Sequence, residues 1–157
     1  MSAVRILGIG SPHGDDRVGW AVVEALAASG ALARHAAEAL CCDRPGLRLA
    51  ALLAGAEHAI LVDALRGGGP PGRVRWLAPG ELAVQPDQLS AHGFGVAEGL
   101  ALARALGTLP RRLSVIGIEI ATTRPDAPLS AAARAGVAAA AAEIERELAG
   151  GRAAPPA

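Results

Sequence analysis

Three short apolar runs set the terms for this chain. Residues 4–9 (VRILGI), 58–65 (HAILVDAL) and 113–120 (LSVIGIEI) are each strand-length and each is bounded by turn formers. Runs of this kind suit strands buried on both faces, as in a parallel sheet covered by helices. The segments between them carry helical spacing. Val18, Ala21, Val22 and Ala25 fall at i, i+3, i+4 and i+7, and this helix stops near Ser29 and Gly30. Residues 47–54 place Leu49, Leu52 and Leu53 on one side of a short helix. Longer helices are predicted over 93–106 and over 130–148, the latter with Val137, Ala141, Ile144 and Leu148 on its inner face. Residues 37–42 make a weaker strand. Residues 73–77 alternate Arg73 and Arg75 with Val74 and Trp76, so that strand has one wet face. The loop before it, 66–72, is too short for a helical crossover, which predicts an antiparallel strand at a sheet edge. Residues 79–91 read as a long loop. The pattern is that of an α/β domain, a three-layer α/β/α sandwich with a mostly parallel sheet. We expect one domain over residues 1–149 and a disordered tail over 150–157.

Composition narrows the function classes. The chain has 157 residues, is 52% hydrophobic and 19% charged, and carries a formal net charge of zero, its basic residues all being Arg. Without a basic run it is a poor nucleic-acid or acidic-membrane binder. Phe94, Trp20 and Trp76 are its only aromatics, too few for base-stacking platforms. No apolar run reaches the roughly 18 residues that span a bilayer, and the N-terminus does not read as a secretory signal. Cys41 and Cys42 are adjacent, unsuited to a mutual disulfide and too few for a zinc site. A cytoplasmic protein is expected.

The stretch GIGSPHGDDRVG, residues 8–19, links the first strand to the first helix. Gly8-Ile9-Gly10 begins like a dinucleotide fingerprint, but the third glycine is missing. Asp15 and Asp16 stand where the helix N-terminus would meet a pyrophosphate. A phosphate is therefore disfavoured. In open α/β sheets ligands sit beyond the carboxyl ends of the strands. Asp16 follows the first such end and Asp63 lies at the third. If the strand order begins 2-1-3, the two carboxylates converge, and like charges so placed call for a cation between them. Carboxylates with an imidazole suit a divalent first-row metal. His13 lies in the loop itself. His92, in LSAHGFG, follows a long loop and opens a helix; His35 and His58 read as surface residues on the other side of the sheet. Separately, Asp16 can be read as a helix cap, Asp63 as a turn cap and His92 as a helix-start residue.

These residues resemble the hydrogenase maturation proteases, endopeptidases that process the large subunit of nickel–iron hydrogenases. The likeness runs from about Val4 to Leu148 and is carried by LGIGSPHGDDRVGWAVVEAL, CDRPG, ILVDAL, LSAHGFGVAEGLALARALG and VIGIE. It implies a five-stranded sheet of order 2-1-3-5-4 with the fourth strand antiparallel. It also implies a nickel-recognition site of Asp16, Asp63 and His92, which are at once the catalytic and the metal-binding candidates. Two positions depart from the family pattern: Ser11 stands where Asn is common, and Asp16 where Glu is. Cys41-Cys42-Asp43-Arg44 replaces an Asp-Gly-Gly-Thr stretch of some members.

The implied function is removal of the C-terminal extension of the large-subunit precursor after nickel insertion, with the nickel carried by the substrate. The free enzyme is then expected to bind divalent metal weakly and to be a monomer. Ser11, Ser90, Cys41 and Cys42 show no accompanying base and acid for a nucleophilic triad, and no H-E-x-x-H zinc motif is present. Glu119 is a second-tier supporting carboxylate. A protein that binds the metallocentre and escorts the large subunit without cutting it is the alternative. A small-molecule hydrolase is a third reading, against which the long loops at 66–72 and 79–91 suggest an open cleft.

Overall fold

The structure, a computed structural model, describes residues 3–43, 45–84, 93–121, 124 and 126–150. Strands β1 (Val4–Ile9), β2 (Ala37–Cys42), β3 (His58–Leu65), β4 (Val74–Leu77) and β5 (Arg112–Glu119) form one sheet of order β2-β1-β3-β5-β4. All neighbours pair parallel except β4, which runs antiparallel to β5 at the edge. This is the order that the family resemblance implied, and β4 is the antiparallel edge strand expected from the short loop before it. After His58 every residue of β3 is buried, because the strand is central and helices cover both of its faces.

Side chains alternate between those faces. On one, Leu7, Ile9, Leu61 and Leu65 pack with Leu49 and Leu53 of α3 (Pro45–Leu53) and with Val96 and Leu100 of α5 (Gly93–Leu106). On the other, Ile6, Ile60, Val62 and Ile116 pack with Val18, Val22 and Leu26 of α1 (Val18–Ala28) and with Val137 and Ile144 of α6 (Ala131–Leu148). Ser130 caps α6, its hydroxyl accepting from the Ala133 N–H at 3.1 Å.

Two short helices depart from the reading of the sequence. One turn, α2 (Ala31–Arg34), follows Gly30, whose φ of 79° reverses the chain after α1. The other, α4 (Pro79–Val84), takes up the start of the predicted 79–91 loop. Its signals were Pro79 in the first helical position and Glu81, whose carboxylate accepts from the Ala78 N–H at 3.0 Å, half of a capping box. The expectation that His35 and His58 are surface residues is corrected. Both are partly buried, His58 because its Nε2 reaches Ser114 Oγ at 3.2 Å between adjacent strands, and His35 because it faces Glu145 of α6. Among the described residues no helix is long and apolar enough to cross a membrane. Residues 151–157, most of the expected tail, lie outside the described residues.

Candidate active site at the carboxyl edge of the sheet

At the end of β1 the chain keeps pairing for one more residue, Gly10 N–H donating to the Cys42 carbonyl at 3.0 Å. It then folds back on itself. Ser11 N–H donates to the Asp16 carbonyl at 3.2 Å and Asp16 N–H to the His13 carbonyl at 3.1 Å, forming a 3-10 turn over Gly14–Arg17 that runs into α1. The glycines serve close packing. A Cβ on Gly8 would lie 2.4 Å from the Gly19 carbonyl oxygen, and one on Gly19 would lie 2.3 Å from that of Ile9 and 2.6 Å from that of Val62. Bare backbone on both sides lets α1 start directly against β1 and β3. The fingerprint-like Gly8-Ile9-Gly10 thus has a packing explanation that involves no phosphate.

The two aspartates of this turn diverge. Residues of a 3-10 turn repeat every three positions, so neighbours point about 120° apart. Asp15 is fully buried, and its carboxylate accepts from Ser130 N–H and Oγ–H, both at 2.8 Å, and from Ala121 N–H at 3.3 Å. Asp16, 6% exposed, accepts instead from the Ser11 hydroxyl at 2.6 Å. It does not cap α1, whose N-cap position is Arg17 with no side-chain cap bond.

Asp63 is 1% exposed and accepts from the Ala64 N–H at 2.8 Å. It lies within β3, two residues before its end. The pairing of Gly8 with Val62 puts Asp63 level with Ile9, the last residue of β1. By alternation it shares the α3/α5 face with Leu61 and Leu65. The segments bearing Asp16 and Asp63 meet here: Gly19, three residues after Asp16, abuts the carbonyl of Val62, the residue before Asp63. Sequence reasoning thus located one end of two neighbouring central strands, and both carboxylates are buried there.

His92 lies outside the described residues, as does Ser90. The helix that follows His92 in the chain is α5. A Cβ on its Gly95 would lie 3.0 Å from Pro45 Cγ, which places the first turns of α5 over the start of α3, just past the carboxyl end of β2. Among the described residues no three His, Cys, Asp or Glu side chains are grouped to hold a metal ion. His13 is exposed on the turn.

Glu119 is 1% exposed, and its carboxylate accepts from Gly67 N–H at 3.1 Å with Arg75 3.7 Å away. It is level with Leu65 and holds down the 66–72 loop. Cys42 is buried in the core facing α3 and α5, while Cys41, its neighbour on the strand, is exposed; neither is in a disulfide. Partial burial pushes the Cys41 thiol pKa up and Glu24 adds to this, against a smaller opposing pull from Arg17. Sequence reasoning missed the Asp15–Ser130 contact and the Ser11–Asp16 hydrogen bond. The adjacency of two aspartates in a tight turn was the available signal, since both could not face one ligand.

A mostly parallel, doubly wound sheet with acids buried beside the carboxyl ends of β1 and β3 is an α/β architecture of the kind that binds ligands in the crevice beyond its strand ends. The hydrogenase maturation protease family model matches residues 45–147, and the chain belongs to that family of peptidases. No curated protein sequence matches it. Among solved structures it is similar to the NiFe hydrogenase maturation protease HybD from Thermococcus kodakarensis, at 28% identity and a TM-score of 0.77, over 94% of this chain and 99% of that one. It shares its fold with the hydrogenase maturating endopeptidase HybD from E. coli, at 24% identity and a TM-score of 0.81, over 96% of this chain and 93% of that one.

Proposed function

We propose that this protein is the endopeptidase that removes the C-terminal extension of a nickel–iron hydrogenase large-subunit precursor once nickel is in place. The observation that carries the reading is the burial of Asp16 and Asp63 at the carboxyl ends of adjacent central strands, in a member of the maturation protease family. In this reading Asp16, Asp63 and His92 engage the nickel of the substrate. Dependence of docking on that metal makes cleavage a check on nickel insertion. Peptide hydrolysis then requires a polarised carbonyl and an activated water, for which a carboxylate is the available base. The protein acts as a monomer in the cytoplasm, where two cysteines outside any disulfide suit a reducing compartment. Two carboxylates and one imidazole make a loose site of low selectivity, so the free protein binds divalent metal weakly.

The test is purified precursor, nickel-loaded or nickel-free, mixed with the protein and run on a gel. Shortening of the nickel-loaded form alone is expected, and Asp16→Ala, Asp63→Ala and His92→Ala should each abolish it. A stable complex with no shorter product would favour the escort reading. Tight stoichiometric nickel binding by the free protein in calorimetry would remove the substrate-borne version.

A further inference from the structure

We propose that Asp15 is the positioning residue of the Asp16 turn, fixing it to the β5–α6 connection through Ser130. Three observations carry this. Asp15 is a fully buried acid, and its donors among the described residues come from another part of the chain. Those donors stand at the two ends of the connection: Ala121 just past β5, and Ser130 at the head of α6. One carboxylate therefore gathers the β1–α1 turn, the exit of β5 and the entry of α6 at a single point. Ser130 is itself held from the far side, since its hydroxyl accepts from the Ala133 N–H while donating to Asp15.

The geometry explains why an acid is required. Three donors converge on two oxygens, Oδ1 from Ser130 N–H and Oδ2 from Ser130 Oγ–H and Ala121 N–H. An amide in this place would turn its own NH2 toward a donor. The next residue is Asp16, whose direction is set by the turn that Asp15 anchors. Within the turn the Ser11 hydroxyl aims the Asp16 carboxylate, and Asp15 holds the turn itself against the sheet. Asp15 touches no reacting group and acts through Asp16.

The cleavage arm of the test rests on the proposed function; the exchange arm does not. Asp15→Asn and Ser130→Ala are compared with Trp76→Phe, a control that loosens α6 elsewhere by removing the Trp76–Glu143 hydrogen bond. Amide hydrogen exchange over residues 11–17 should quicken by about tenfold or more in Asp15→Asn, by less in Ser130→Ala, and not in the control. With nickel-loaded precursor, kcat/KM should fall in the same order, while the control keeps its kcat/KM. Unchanged exchange in both variants overturns the proposal, as does a kcat/KM loss that simply follows Tm across all three. If Asp15→Asn does not fold, Ser130→Ala decides alone by the same two readouts. A wild-type protein that cuts no precursor defeats the proposed function and leaves the exchange result to stand or fall separately.

Discussion

The Ser11 hydroxyl donates to Asp16 Oδ2 at 2.6 Å, and the Ser11 N–H donates to the carbonyl of the same residue at 3.2 Å. Side chain and backbone thus close one ring between the end of β1 and the candidate acid. Hydrogen bonds to charged groups contribute about 1.5–3 kcal/mol. Ser11→Ala should leave the fold intact and lower precursor cleavage on the order of tenfold, the equivalent of about 1.4 kcal/mol. Ser11→Asn, which retains a donor, should recover most of the rate. Timed gels of the nickel-loaded precursor check both.

The contact of Gly8 with Gly19 is a backbone contact and cannot relax by turning a rotamer. A methyl on Gly19 would meet two carbonyl oxygens, those of Ile9 and Val62, at 2.3 and 2.6 Å. Overpacking usually costs about 1–3 kcal/mol, and with rigid strands on the receiving side the upper end applies. Gly19→Ala should therefore cost about 3 kcal/mol of stability or more, read in urea unfolding as a lower midpoint. Gly68→Ala makes a useful contrast. Its Cβ would meet nothing within 4 Å, so only its φ of 79° opposes the change and the loss should be smaller.

The buried strands were legible because hydrophobic runs report burial on both faces, and the antiparallel edge strand because a short loop reports an antiparallel return; the full order 2-1-3-5-4 was implied by the family resemblance. β3 and α5 begin and end where the sequence placed them, at His58–Leu65 and Gly93–Leu106. Asp16 and Asp63 were legible for a related reason: acids at the carboxyl ends of central strands are costly unless something uses them. What stayed hidden was long-range. The bond from Asp15 to Ser130 joins residues 115 apart in the chain, and no local pattern encodes it. α4 was hidden by its brevity, six residues opened by a proline that reads equally well as a turn. His58 was misread because its partner, Ser114, lies on the next strand of the sheet.

The adjacent cysteines alternate across β2, so their chemistry should differ. Cys42 is buried in the core; Cys41 is exposed, with its thiol pKa held up by partial burial and by Glu24. At pH 7.5 the native protein should take up one equivalent of iodoacetamide, at Cys41 and more slowly than free cysteine, because the thiolate is the reactive form. Unfolding in urea should expose the second. Intact-mass measurement reads both, and rapid modification of two thiols in the native state would contradict the alternation. Glu24→Gln should quicken the first reaction by removing the carboxylate that opposes thiolate formation.

His58 should make stability depend on pH, and the direction follows from its surroundings. Burial, seconded by the Arg112 guanidinium, pushes its pKa below the usual 6.5, while Glu147 pulls weakly the other way. The unfolded chain then binds a proton at His58 more readily than the folded one. Stability contributed by the neutral ring is complete above the unfolded value of about 6.5 and declines as pH falls from there through the lower folded pKa. His58→Gln keeps a partner for Ser114 and has no proton to take up. Urea unfolding at pH 7.5 and pH 5.5 should show a smaller stability loss on acidification in the variant than in the parent. The two proteins share His13, His35 and His92, so their difference isolates His58. An equal or larger loss in the variant would mean that the folded state does not disfavour the imidazolium at this position.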